Sequence, residues 1–328
     1  MTAVAAPPIS AAPEAPAAPM RSAPPEARRS PGRRVGVARR LAPLVWIGPA
    51  IALVGFVVIW PAVVMVQTSV QTIGPDGFVQ GGAGFRNFAH LLAEPALAGV
   101  VARTIVWVAG VVAATMIASL ALAQLLDQRF PGRRIARLAL IAPWAASVMM
   151  TSIVFRWALN SNNGVINVFL HDIGVLKAFN TREADWLGNP ATALPWMMVV
   201  ATFVSIPFTT YAILAGLQAI PDEVNEAARM DGASGWRIYL SVTLPILRPA
   251  LLVALLINVI NVLNSFPIIW TMTRGGPGYE TSTTTTFMYQ LKQSDIGESA
   301  AMSIVNFALV IVVVLLFLRI NRSSREAD

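Results

Sequence analysis

The sequence predicts an all-α membrane protein with six transmembrane helices, and its composition and its uncharged runs carry this prediction. Of the 328 residues, 55% are hydrophobic and only 12% are charged, whereas soluble domains carry about 25% charged residues. A run of about 20 apolar residues is long enough to cross the hydrocarbon core of a bilayer. The chain contains six uncharged runs near or above this length, at 41–70, 104–126, 138–155, 188–221, 249–273 and 299–318.

The third run is the shortest of the six, at 18 residues. Arg137 and Arg156 stand at its two ends, and long basic side chains can reach back to the lipid headgroups. We therefore expect residues 138–155 to cross the membrane as the third span.

The distribution of basic residues predicts the orientation of the bundle. Basic residues accumulate in short loops on the cytoplasmic side of membrane proteins. Of the 24 Lys and Arg residues, 17 fall in the two tails, in the loop after the second run and in the loop after the fourth run. We therefore expect both termini to be cytoplasmic, together with the loop at 221–245. The formal charge of +7 is explained by this asymmetry, so we expect no nucleic-acid partner.

The two ends of the chain differ in composition from the membrane domain predicted at 41–320. Residues 1–40 are rich in Ala and Pro, with an arginine cluster near their end, a composition that cannot bury enough apolar surface to order itself. We expect a disordered cytoplasmic tail there and a short cytoplasmic tail at 321–328. A secretory signal is the rival interpretation of the N-terminus, but its apolar core would begin near the start of the chain.

The most distinctive stretch is EAARMDGASGWRIYLSVTLP at 226–245, a polar segment between the fourth and fifth runs. Pro221 and the acidic residues after it favour a helix start, and we expect this helix to continue to Met230. Gly232 can end the helix in a left-handed conformation, and Ser234 can cap a second short helix. Proline residues 245 and 249 are then expected to redirect the chain into the fifth span.

This stretch resembles the E-A-A-x3-G-x9-I-x-L-P signature of the membrane subunits of bacterial ATP-binding cassette (ABC) importers. The matching positions are Glu226, Ala227, Ala228, Gly232, Val242, Leu244 and Pro245, with Val in place of Ile at 242. The resemblance implies the type I ABC importer permease fold. It also implies that the helix couples the permease to a groove of a cytoplasmic ATPase, where Glu226 pairs with a basic residue and Asp231 lies within the contact. The alternative is an ordinary loop helix that only connects two spans.

A second motif, at 273–278, is similar to the T-x-G-G-P turn of the first permease in maltose-type carbohydrate importers. The resemblance covers roughly residues 42–320 and implies a bacterial inner-membrane protein. It also implies three kinds of partner: a second permease, two ATPase subunits and an extracytoplasmic binding protein. The chain departs from the family pattern at 290–293, where an aromatic residue is usual.

The sequence contains no Walker-type nucleotide loop of its own. A phosphate-binding Walker loop requires Gly-Lys, but the only two lysines, Lys177 and Lys292, follow Leu. ATP and magnesium are therefore expected on the partner ATPase, and this chain is expected to be a transport subunit rather than an enzyme. With no Cys and two His, no metal site and no other cofactor is expected.

Two other classes of membrane protein remain as alternatives. A transporter driven by an ion gradient normally places ionisable residues within its bundle, and the six runs contain none by construction. A structural scaffold or an insertase is not excluded by hydropathy, although the signature loop argues against it.

Polar residues in the fifth run predict a substrate path. Asn258, Asn261 and Asn264 recur at intervals of three, so they share one stripe of a helix, and amides match the donors and acceptors of a sugar. We expect Ser265 to extend this stripe and Trp270 to stack on a sugar ring. The alternative is hydrogen bonding between helices, and glycerol phosphate or another polyol is an alternative substrate. The polar residues of the fourth run are expected to serve helix packing: Ser205, Thr209, Thr210 and Tyr211.

Overall fold

The computed structural model describes residues 47–74, 76–179 and 181–325, with side chains described as far as Arg319. The prediction for the tail at 1–40 lies outside the described residues. The chain divides after Phe56 into two units, and the first is described only from Ile47, as exposed helix.

Helices make up nearly all of the regular secondary structure in the described residues, which also contain one antiparallel hairpin, β1 (Gln71–Ile73) and β2 (Val79–Gly82). The helices are α1 (Ile47–Ser69), α2 (Arg86–Ala93), α3 (Pro95–Asp127), α4 (Arg133–Ala145), α5 (Val148–Ala158), α6 (Val165–Asp172), α7 (Pro190–Gln218), α8 (Asp222–Met230), α9 (Gly235–Ile238), α10 (Leu244–Leu263), α11 (Phe266–Met272), α12 (Thr284–Leu291) and α13 (Ile296–Arg325).

Five helical segments in the described chain are long and apolar enough to cross a membrane, and a bent pair of helices makes a sixth span possible. A count of five or six spans agrees with the six spans predicted from the sequence. The segments are Ile47–Ser69, Pro95–Asp127, Pro190–Gln218, Gly235–Met272 and Ile296–Arg319. Since α13 continues to Arg325, the first residues of the predicted C-terminal tail are helical.

The third predicted span is a bent pair of helices and not a single straight one. Residues 138–155 fall on two helices, α4 and α5, whose axes are bent by 92°. Pro143 near the end of α4 lacks the N–H that would continue the helical hydrogen bonds. Ser147 then caps α5, since its hydroxyl accepts a 3.1 Å hydrogen bond from the N–H of Met150, which stabilises a new helix start.

The prediction of a short helix after Ser234 is wrong in its length, although the cap itself is present. The helix that begins at Gly235 continues into the fifth span, and Pro245 does not interrupt it. The five residues Tyr239–Thr243 form a π-helical turn directly before this proline. A proline cannot donate to the carbonyl four residues earlier, and a wider turn accommodates this loss without ending the helix. The interruption comes later, at Asn264 and Ser265, between α10 and α11.

The largest buried side chain, that of Trp107 on α3, lies in a cluster with Met197 on α7, Val262 on α10 and Ile269 on α11. The indole N–H of Trp107 donates to the Val262 carbonyl (3.2 Å) and to the Ser265 hydroxyl (2.9 Å). These two hydrogen bonds connect α3 to the fifth span at the point where its helix is interrupted.

Close helix packing at the other end of α7 depends on a glycine. A Cβ atom at Gly216 would lie 2.5 Å from the Ala250 Cβ and 2.8 Å from a methyl carbon of Leu247. Only glycine therefore allows α7 and α10 to approach this closely.

The segment Thr281–Thr286 is buried although all six of its residues are polar. Hydrogen bonds from several elements hold it: the Thr284 N–H donates to the Thr104 hydroxyl (2.9 Å), and the Asn306 amide donates to the Thr284 carbonyl (3.3 Å). At the unusual position 290, the Gln290 amide accepts from Ser282 (2.8 Å) and donates to the Arg274 carbonyl (2.9 Å). The departure from the family pattern therefore supplies internal contacts that hold the Gly-Pro turn.

Candidate functional site

The signature loop folds as a helix with a complete left-handed cap. Helix α8 ends before Asp231, and Gly232 has φ +77°. The Gly232 N–H donates to the Arg229 carbonyl (3.0 Å) and the Ala233 N–H to the Ala228 carbonyl (3.1 Å). This pair of hydrogen bonds is the Schellman arrangement, which satisfies carbonyls that a helix end leaves free. The helix end predicted at Met230 and the left-handed role of Gly232 are confirmed.

Most of the predicted coupling residues lie on the surface. Glu226, Ala227, Asp231, Gly232 and Pro245 are exposed, and Ala228 and Leu244 are half-buried. Within the described ranges Glu226 takes part in no ion pair. The large apolar side chains of Met230 and Trp236 are 88% and 71% exposed. The loop thus presents a carboxylate, small residues and apolar side chains together.

The predicted amide stripe lines one cavity of about 390 Å³ between α7 and the fifth span. Asn258, Asn261, Asn264 and Ser265 all contribute to its wall, and Ser205 and Thr209 of α7 face them. The periodicity of three thus brings the four residues of the fifth run into one cavity, as the stripe implied.

The hydrogen bonds of these side chains differ from one residue to the next. Asn258 is 2% exposed, and neither atom of its amide has a hydrogen-bond partner in the described structure. Asn264 donates only to the Ile260 carbonyl of its own helix, at 2.9 Å. Ser265 is engaged by Trp107 and by the Val262 carbonyl. None of the three asparagines donates to another helix of the described chain, so helix-to-helix bonding within this chain does not account for the stripe.

Trp270 is not part of this cavity. Its ring stacks on Phe266 at a centroid distance of 5.6 Å and meets Tyr289 edge-on at 4.7 Å. The aromatic residues at the cavity are instead Trp144 and Phe208, with exposed fractions of 58% and 41%. Trp144 was missed as a site residue because it lies on a different run, and its place at the cavity depends on the tertiary packing of α4.

The fourth-run residues divide between packing and the cavity wall. Tyr211 donates to the Arg137 carbonyl of α4 at 2.9 Å, and this is the helix packing that was predicted. Ser205 and Thr209 donate to carbonyls of their own helix, at 2.8 and 2.9 Å, and leave their remaining acceptor positions towards the cavity.

No group of three or more His, Cys, Asp or Glu side chains that could hold a metal occurs in the part of the chain that the structure describes.

Comparison with known proteins places this geometry in a family. The family model for the binding-protein-dependent transport system inner membrane component matches residues 110–325. The chain belongs to this family. It is therefore a multi-pass inner-membrane protein and the permease subunit of a binding-protein-dependent ABC importer, and its role is transport.

Two relatives and one solved structure illustrate the likeness. A probable ABC transporter permease of Brucella suis is 38% identical over 243 residues, 74% of this chain and 83% of the relative. The trehalose/maltose transport system permease of Thermococcus litoralis is 34% identical over 211 residues, 64% of this chain and 70% of the relative. A chain in the crystal structure of a bacterial alginate ABC transporter, in complex with its alginate-bound periplasmic protein, has the same fold. Its TM-score is 0.76 at 20% identity, over 89% of this chain and 98% of that chain.

Proposed function

We propose that this permease forms, with a second permease subunit, the translocation path for a neutral sugar or oligosaccharide. The solute is delivered by an extracytoplasmic binding protein, and the wall of the cavity between α7 and the fifth span contacts it. The observation that carries this proposal is the pair of exposed amides in the cavity wall, Asn261 and Asn264, neither of which bonds to another helix of the described chain. Amide groups both donate and accept hydrogen bonds, so they can bind the hydroxyl groups of a passing solute.

The chemistry of the wall supports a saccharide as the solute. Hydroxyl and amide groups alternate around it with the aromatic side chains of Trp144 and Phe208. Sugars combine hydroxyl groups with apolar ring faces, so they match a wall of amides and aromatic rings. The trehalose/maltose relative is consistent with this substrate class.

The same wall argues against an anionic solute such as glycerol phosphate. Among the described residues that line the cavity, none is charged. A phosphate without a cationic partner would lose its hydration and gain too little in return.

In this proposal the energy comes from two cytoplasmic ATPase subunits, which bind ATP and magnesium. The contact surface is the loop 221–245, with Glu226, Ala227, Ala228, Asp231, Gly232, Leu244 and Pro245. The exposure of Glu226 and the capped end of α8 support this role, because a helix that transmits force must hold its shape while its surface stays accessible. The basic tails and loops support a cytoplasmic position for this loop and for both termini.

Replacing Asn261 by Leu tests the path. We expect initial uptake rates in proteoliposomes of the full complex to fall roughly three- to tenfold, the loss of one or two hydrogen bonds, while the complex remains assembled in size-exclusion chromatography. Asn163→Leu, at an exposed asparagine outside the cavity, is the matched control and should transport normally. Normal uptake by Asn261→Leu would contradict the proposed path. So would a loss of uptake that is explained by failure of the complex to assemble.

A further inference from the structure

A second cavity, of about 330 Å³, lies behind the signature loop and has no part in the path proposed above. Three elements enclose it: the end of α3, the end of α7 and the segment from α8 into the fifth span. The residues that line it are Gln124, Asp127, Gln128, Leu217, Ile220, Asn225, Gly235, Trp236, Tyr239 and Thr243. We call it the loop pocket.

The lining of the loop pocket combines apolar and polar side chains, and the polar ones form no hydrogen bonds within the described chain. Two glutamines, an asparagine, a threonine and a tyrosine converge on it beside the carboxylate of Asp127. None of these side chains takes part in a hydrogen bond or an ion pair among the described residues. These side chains are wholly or partly exposed, and a concave surface on which polar and aromatic groups converge is the usual form of a binding site.

Asp127 forms no ion pair with an arginine in the described structure. Arg133 donates to the Leu126 carbonyl at 2.7 Å and Arg137 to the same carbonyl at 3.3 Å. Both guanidinium groups thus bind the C-terminal end of α3, where a cation complements the helix dipole. The carboxylate one residue further on remains available to a cation from outside the chain.

We infer that the loop pocket receives an arginine side chain of the cytoplasmic ATPase subunit, with Asp127 as its counter-charge. A guanidinium group stacks on aromatic faces, such as those of Trp236 and Tyr239 here, and donates several hydrogen bonds in one plane. Amide and carboxylate oxygens can accept them. An ammonium group would use the carboxylate but would gain less from the aromatic rings.

The position of the loop pocket fits this occupant. Asn225 and Trp236 stand on the two sides of the turn that ends α8, next to the proposed coupling residue Glu226. An ATPase subunit that binds α8 would therefore also contact the loop pocket. The inference rests on the proposed function, because it requires that the ATPase binds at this loop. It adds a second attachment, through which the subunit would hold α3 as well as α8.

Binding of the ATPase subunit to the permease pair in lipid nanodiscs tests the inference. Asp127→Asn should weaken binding roughly tenfold at low ionic strength, as loss of a charge-assisted hydrogen bond does, and should reduce its salt dependence. Glu183→Gln is the control, since it removes an exposed carboxylate that lies outside both the coupling loop and the pocket, and it should bind like the wild type.

A cross-link identifies the occupant. The chain has no cysteine, so Gln128→Cys carries a single thiol for a photoreactive benzophenone label. We expect an adduct with an arginine-containing ATPase peptide. Unchanged binding by Asp127→Asn, or adducts only within the permeases or with ATPase peptides that lack arginine, would overturn the inference. If Glu226→Lys abolishes binding while Asp127→Asn leaves it intact, the proposed function stands and the pocket's role fails. If wild-type permeases bind no ATPase, both fail.

Discussion

Replacing Gly232 by Ala should loosen the end of α8 without removing a single contact. The φ of Gly232 is +77°, and a Cβ atom added there would meet nothing within 4 Å. The cost is therefore conformational and not steric. A left-handed conformation costs an L-residue about 1–2 kcal/mol relative to glycine, which corresponds to roughly a 5- to 30-fold change in a local equilibrium.

Hydrogen exchange measures this change directly. The amides of Gly232 and Ala233 are protected by hydrogen bonds to Arg229 and Ala228, and their exchange reports the free energy of local opening. We expect exchange at these amides to accelerate roughly 5- to 30-fold in Gly232→Ala, with slower uptake because fewer molecules hold a coupling-competent loop. Gly232→Asn should recover part of the protection, since asparagine tolerates the left-handed region.

Gly235 provides the matched control three residues away. It also has open space around its Cα, but it stands at the start of a helix and its φ is not left-handed. Gly235→Ala should therefore leave the exchange of the Gly232 and Ala233 amides unchanged or slow it slightly. Equal acceleration in the two alanine variants would refute the argument from backbone conformation, as would protection in Gly232→Asn no better than in Gly232→Ala.

Two predictions concern the stability of the bundle. Trp107→Phe removes the N–H that binds the Val262 carbonyl and the Ser265 hydroxyl. We expect this to destabilise the protein by about 1–3 kcal/mol, which a lower Tm in detergent would show. Trp157→Phe, at a 74% exposed indole, is the control and should not lower the Tm. Ser147→Ala removes the cap of α5 and should cost about 0.5–2 kcal/mol, whereas Ser147→Asp should retain the Tm, and equal Tm values for Ala and Asp would argue against capping at the bend.

The parts of the fold that were predictable depend on short-range chemistry. The spans follow from apolar length, the end of α8 follows from Gly232, and the start of the next helix follows from Ser234, because caps and left-handed turns are decided by neighbouring residues. The shared position of Asn258 and Asn261 follows equally from helical periodicity. These features need no knowledge of what packs against them.

The parts that were not predictable depend on tertiary contacts or on how a helix accommodates a proline. The helix that contains Pro143 ends two residues later, at the bend after α4, whereas the helix that contains Pro245 continues after a π-helical turn, and sequence alone does not distinguish these outcomes. The position of Trp144 at the cavity is likewise a tertiary contact. Trp270 was assigned to the path because it follows the stripe, but the interruption at Asn264 turns it towards Tyr289.

The bend between α4 and α5 also bears on the hydration of the amide-lined cavity. It interrupts the regular backbone ladder between Ala145 and Val148, and hydrocarbon tails cannot bond to irregular peptide groups. Trp144 and Val148, on either side of the bend, both face the amide-lined cavity. In the proposed path, water at the irregular peptide groups of this bend would let an arriving solute exchange one set of hydrogen bonds for another.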